Sequence, residues 1–206
     1  MTLYCATGNP GKLREFEMAA GQTDIRVEMA PGFGDVPPCE ETGVTFEENA
    51  ILKAKYYGTL VRGLLFADDS GLEVDALGGD PGVYSARFAG PGSTDEANNR
   101  LLLERMRGVR ERSARFICAI ALVDDARLVG TFRAVVEGEI LAEARGPNGF
   151  GYDPLFFYPP FGCSLGEAPA DRKLQVSHRG KALRAMFQAV AGLWQDGRFA
   201  PSDNIK

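Results

Sequence analysis

Apolar and polar positions along the chain divide it into short strands and amphipathic helices. "TLYCA" opens as a short apolar strand, "GNPGK" breaks it, and "KLREFEMAA" then repeats with helical spacing. "IRVEM" predicts a second strand, and residues 30–44, "APGFGDVPPCEETGV", a Gly/Pro-rich loop. "TFEENAILKAKYYGTL" is the clearest helix. Thr45 and Glu48 have capping-box spacing, Phe46, Ala50, Ala54 and Tyr57 share one face, and Asn49 and Lys53 share a neighbouring polar one. "LLFA" and "LEVDAL" predict two strands with Asp68 and Asp69 between them, so the aspartate pair is expected to end the first. Residues 78–93 form a Gly/Pro-interrupted loop, and "TDEANNRLLLERM" a helix capped by Thr94 or Asp95. "ARFICAIALVDD" and "RLVGTFRAVVEGEI" predict an antiparallel hairpin turning near Asp124 to Arg127. "RGPNGFGYDPLFFYPP" is another loop, and "SHRGKALRAMFQAVAGLW" a closing helix. Strand–helix units together with a hairpin imply an α/β fold with a mixed sheet.

With 206 residues the chain can bury a core as one domain or two closely joined lobes. The net charge of −5 speaks against a general nucleic-acid binder but leaves room for a small anion held by local cations or a metal. The four cysteines are scattered without a C-x-x-C pair, as expected for reduced thiols in a cytoplasmic protein. One histidine excludes a zinc site built from several. The N-terminus lacks a signal-peptide pattern, and no apolar run approaches the ~20 residues that span a bilayer.

Several stretches carry candidate chemistry beside a plainer reading. Asp68–Asp69 is a turn or a hard-cation site; neither a D-x-D-x-[TV] nucleophile nor a G-x-S-x-G elbow is present. "TGNPGK" lies between strand and helix, where backbone N–H groups and Lys12 could hold phosphate, although Gly8 to Gly11 is too short for a Walker A loop. Glu40–Glu41 is a solvated pair or a source of a second carboxylate. In "GFGYD", Phe150 is a core aromatic or a ring for stacking on a planar base. In "SHRGKAL", His178 and Arg179 are solvated helix-start groups or donors to a ligand.

In this order, "TGNPGK", "EETGVTFEENAILKAK", "ADDSGLEVDALGGDPGVYSARFAG", "GFGYDPLF" and "SHRGKAL" resemble the inosine triphosphatase, or Ham1-like, family over roughly residues 2–190. The resemblance implies an elongated mixed sheet with flanking helices and two lobes around a central cleft. Residues 1–195 would form one two-lobed domain; residues 196–206 lie beyond the resemblance. It further implies a homodimer that hydrolyses non-standard purine triphosphates (ITP, dITP, XTP) to monophosphate and pyrophosphate. By its motifs Thr7, Gly8, Asn9, Pro10, Gly11 and Lys12, helped by Lys53, would hold the triphosphate. Glu41 and Asp69 would bind Mg²⁺, with Asp68 and Glu40 close by, and Asp69 would accept the proton. Ser70 would touch the substrate, and Phe150, Gly151, Tyr152, Asp153, Lys173, His178 and Arg179 would surround the base. A 6-oxo purine matches donors from Arg179, His178 or backbone; adenine's 6-amino group does not. Two other readings are a Maf-like pyrimidine nucleotide pyrophosphatase and a nucleotide sensor without turnover.

Overall fold

The computed structural model describes residues 1–195, so the tail at 196–206 lies outside the described residues. Seven strands form one mixed sheet in the order β2-β1-β3-β4-β5-β6-β7. They are β1 (Thr2–Cys5), β2 (Arg26–Met29), β3 (Leu64–Val74), β4 (Ser113–Asp124), β5 (Arg127–Ile140), β6 (Phe156–Tyr158) and β7 (Cys163–Ser164). β1 pairs in parallel with β2 and β3, and every later pairing is antiparallel. Among the described residues there are five α-helices, α1 (Pro10–Ala20), α2 (Phe46–Gly58), α3 (Asp95–Arg105), α4 (Ala170–Val176) and α5 (His178–Gln195), besides short 3-10 turns.

Strand alternation sorts the core into layers. Leu64 and Phe66 of β3 face α1 and α5, packing with Phe16, Leu183 and Met186. Leu65 and Ala67 face the other way, onto Ala50, Ala54 and Tyr57 of α2. Farther along, Leu72 and Val74 join Leu102 of α3, Met106 just after it and Phe156 of β6 in a third cluster. The long hairpin turns at Asp125 and Ala126, both at positive φ (46° and 63°), as a twisted two-residue turn requires.

β3 departs from the expected pattern in a way that matters. It is one strand of 11 residues, and Asp68 and Asp69 lie in its middle, paired with Ile120 and Ala119 of β4. The pair therefore neither ends a strand nor forms a turn. β1 accompanies β3 only at Leu65 and Phe66 and then leaves for α1. β3 runs on with one edge free of β1, and the two buried aspartates are stable there because cations from other elements pair with them. Three smaller differences follow from length. β6, β7 and α4 have three, two and seven residues, too few to show a period. "GNPGK" is the start of α1: Asn9 caps it and Pro10 occupies its first turn.

Candidate active site

A cleft of about 590 Å³ lies along the free edge of β3. It gathers most of the residues singled out in the sequence: Thr7, Gly8, Asn9, Lys12, Glu41, Lys53, Asp68, Asp69 and Ser70, together with Phe150, Gly151, Tyr152, Asp153, Lys173, His178 and Arg179. Pro10 and Gly11 do not line it. Pro10 is exposed at the start of α1, and Gly11 is buried where an added Cβ would sit 2.6 Å from the Phe150 ring. The turn that enters α1 thus packs against the ring loop, and only glycine permits that approach. Glu40 is exposed and outside the lining.

The α1 end is built by capping. Asn9 Oδ1 accepts from the N–H groups of Gly11 (2.8 Å) and Lys12 (3.0 Å), and Thr7 Oγ1 accepts from Asn9 N–H (3.2 Å). This fixes Lys12, whose Nζ donates to Asp68 Oδ1 at 3.1 Å.

The two aspartates point to opposite faces, as neighbours in a strand must. Asp69 faces α2. Lys53 Nζ lies 2.8 Å from its Oδ1 and Asn49 Nδ2 3.3 Å from its Oδ2, so the polar face expected on α2 is aimed at one carboxylate. The same Nζ is 3.0 Å from Glu41 Oε1, and Arg87 Nη1 stands 3.7 Å from Glu41 Oε2. Burial raises Asp69 above the usual carboxylate range against the pull of Lys53 and Lys12, and Glu41 adds to the rise. Burial opposes the charge on Lys53, but Asp69, Asp68 and Glu41 outweigh it and hold the ammonium protonated.

Asp68 faces α1 and α5, where Lys12 is joined by Arg179 Nε at 3.2 Å from Asp68 Oδ2. Burial works to raise Asp68, but Lys12, Arg179 and Lys53 overcome it and hold the carboxyl well below its ordinary range. The pairing continues inward. Arg179 Nη1 meets Glu15 Oε2 at 2.5 Å, Glu15 Oε1 meets Lys173 Nζ at 2.7 Å, and Lys173 meets Asp153 Oδ2 at 2.5 Å. Lys12, Asp68, Arg179, Glu15, Lys173 and Asp153 thus form one chain of alternating charge. Glu15 is the member the sequence did not disclose. It is 8% exposed, on a helix whose apolar residues also turn inward, and only the pairing explains it.

The Phe150 ring lies under Lys173 (4.7 Å) and Arg179 (5.5 Å). Phe150 is half-buried in the cleft wall rather than in a core cluster. His178 and Arg179 are buried, not solvated. His178 stacks on Phe116 (centroids 4.8 Å apart, planes at 13°), and its Nδ1 has no hydrogen-bond partner among the described residues. Burial, with Arg179 and Lys173 nearby, pushes its pKa well below 6.5, so the imidazole is neutral. Arg179 donates to Asp68, Glu15 and Ser70, the last through Nη2 at 2.6 Å.

Among the described residues no group of three or more His, Cys, Asp or Glu is placed to hold a metal by itself. Glu41 and Asp69 instead converge on one cation, the Lys53 ammonium. Such a donor set fits Mg²⁺, which takes one or two carboxylates and completes its shell with water and phosphate. No described helix is long and apolar enough to cross a membrane.

Comparison with known proteins places these features in a family. A dITP/XTP pyrophosphatase of Exiguobacterium sp. is 50% identical over 186 residues, covering 90% of this chain and 95% of the relative. One from Acidobacterium capsulatum is 46% identical, covering 93% and 99%. The solved Ham1 protein of Staphylococcus aureus superposes with a TM-score of 0.82 at 38% identity, covering 93% of this chain and 99% of that one. A HAM1 protein from Coxiella burnetii gives 0.83, with the same identity and coverage. The Ham1 family model matches residues 3–189, and the chain belongs to the Ham1 family.

Proposed function

We propose that this protein hydrolyses non-standard purine nucleoside triphosphates (dITP, XTP and ITP) to the monophosphate and pyrophosphate, which cleanses the nucleotide pool. The relatives' names support the activity. The observation that carries it onto this chain is what one cleft brings together, a lysine shared by Glu41 and Asp69 and an aromatic ring beneath two cations.

Thr7, Gly8, Asn9 and Lys12 hold the triphosphate at the start of α1, where the Lys12 ammonium and the helix dipole favour anions. Lys53 adds a second charge from α2. Glu41 and Asp69 would hold Mg²⁺, which when bound neutralises phosphate charge. Water attacks the α-phosphorus and pyrophosphate leaves. Asp69, made more basic by burial, takes the proton of that water. The ring of Phe150 stacks on the base, with Gly151, Tyr152, Asp153 and Lys173 around it and Ser70 against the substrate. His178, Arg179 or the loop backbone supplies a donor to the 6-oxo edge, and Arg179 also holds its neighbours in place. Residues 1–195 act as one two-lobed unit. We place the enzyme in the cytoplasm as a homodimer, supported by Val44 (81% exposed) and Tyr84 (59% exposed) beside one surface groove. Light scattering of purified protein tests the dimer.

Purified protein with ITP and Mg²⁺ should give IMP and pyrophosphate, and a chelator should stop it. Release of IDP and orthophosphate overturns the reading. ATP turned over as fast as ITP removes the base specificity.

A further inference from the structure

Helix α3 touches the ring loop in a way that the chemistry above does not use. Gly151 follows Phe150 and adopts φ +62°, the left-handed region that suits glycine. Both of its peptide groups are held by this one helix. Asp95 Oδ2 accepts from Gly151 N–H at 2.6 Å, and Asn99 Nδ2 donates to Gly151 carbonyl at 3.0 Å. Asp95 and Asn99 are four residues apart, so they project from one face of α3. Asn98, between them, grips a different segment. Its Oδ1 accepts from Ala89 N–H (2.8 Å) and its Nδ2 donates to Ala86 carbonyl (3.3 Å), one on each side of Arg87 in the cleft wall. Tyr152 closes the connection by donating its hydroxyl to Ser85 carbonyl at 2.9 Å.

We propose that Asp95 and Asn99 are positioning residues for nucleobase recognition, holding Gly151 from both sides and thereby setting the plane and depth of the Phe150 ring. The proposal rests on the reading that Phe150 faces the base. Phe150 is already restrained from the opposite side, by its N–H bond to Asp153 Oδ2 (2.8 Å) and by the close approach of Gly11. The helix supplies the missing restraint. A ring held on one side only would sample several orientations, and only a fraction of the protein would present the binding-competent one. Apparent affinity falls by that fraction. The metal end is untouched, so the chemical step of bound substrate should continue.

Asp95 also lies in the first turn of α3, where a carboxylate stabilises a helix through its dipole. The test must separate the two roles. Steady-state kinetics with Mg²⁺ and either ITP or GTP, beside thermal melts, should be run on Asp95→Ala, Asp95→Asn, Asn99→Ala and Phe150→Ala. The clamp requires Asp95→Ala to raise KM for ITP about tenfold, the worth of one charge-assisted hydrogen bond, with kcat little changed. The preference for ITP over GTP should narrow with it. Asp95→Asn should recover most of the KM, because its amide oxygen still accepts from Gly151 N–H, although the helix charge is gone. A purely structural Asp95 gives the reverse: both variants melt earlier and KM stays. That result, or a loss confined to kcat, overturns the proposal. Should Asp95→Ala fail to fold, Asn99→Ala reads the same clamp through the carbonyl, and an unchanged KM there overturns it equally. If Phe150→Ala raises KM and the α3 variants do not, the clamp alone is wrong. If Phe150→Ala leaves KM unchanged, the base-loop reading falls and the clamp with it.

Discussion

The two faces of β3 treat neighbouring aspartates in opposite ways. On the α1 and α5 side, Asp68 meets Lys12 at 3.1 Å and Arg179 at 3.2 Å, and its carboxyl is held ionised against burial. On the α2 side, Asp69 meets Lys53 and Asn49, and burial lifts it above the ordinary range. A strand can do this within one step of sequence because successive side chains face different layers. One face makes a closed chain of ion pairs that holds the cleft's wall. The other leaves a carboxylate held by Lys53 and Asn49 in the cleft wall, suited to a metal and a proton.

The contrast can be broken most forcefully at Asp69. Asp69→Asn keeps the shape and removes the charge. It should lower kcat about 10²–10⁴-fold, the usual worth of a positioned acid or base, while nucleotide binding changes only a few-fold. Kinetics paired with equilibrium binding checks this; lost affinity with intact kcat would place Asp69 among ground-state contacts. Asp68→Asn should fail differently. It leaves buried Arg179 under-compensated, and breaking a buried pair from one side costs about 3–5 kcal/mol. Denaturant unfolding should show that loss, and parental stability would put the two aspartates on the same footing. Lys12→Ala comes next. Its charge lies on the phosphate side, so kcat/KM should fall about 10- to 100-fold, in keeping with one hydrogen bond to a charged group. An unaltered kcat/KM would make the lysine a partner of Asp68 only.

Phe150→Ala sharpens the difference between the cleft's ends. Losing a stacking face is worth about 1–3 kcal/mol and should appear mainly in KM. The smallest effect concerns the single histidine. The folded-state pKa of His178 lies well below 6.5, so between those two values the unfolded chain binds a proton that the folded protein does not. Stability is therefore fully present above about 6.5 and declines as pH falls through that window, by up to about 1.4 kcal/mol per pH unit. Melts from about pH 7 to about pH 5, the range in which an ordinary imidazole titrates, should show the decline. A His178→Phe variant should lose that slope, and an identical slope in the variant would assign it to other groups.

Much of the site was legible in segments. The α2 pattern put Asn49 and Lys53 on one polar face, and both reach Asp69. The expected cap at Thr45 forms, with its Oγ1 accepting from Glu48 N–H at 3.1 Å. The hairpin of β4 and β5 turned where its polar residues fell. Glu15 was hidden, because one acid on an amphipathic helix looks like any solvated residue until its partners are known. Asp95 was visible only as a candidate cap; Thr94 took that role, accepting from Ala97 N–H at 3.2 Å, and freed Asp95 to reach the ring loop.

Local spacing determined the longer helices and the long hairpin, since periodicity, capping and turn chemistry act over a few positions, whereas the set of cleft residues came from the resemblance to the Ham1-like family. Tertiary structure alone decided that β3 runs unbroken through Asp68 and Asp69. A polar pair reads as a strand's end unless β1 is known to leave and open a cleft beside it. Tertiary structure also decided which acid meets which base. Glu15, Asp68 and Asp153 are far apart in sequence, and the value of burying each charge depends on an opposite charge that folding brings within about 3 Å.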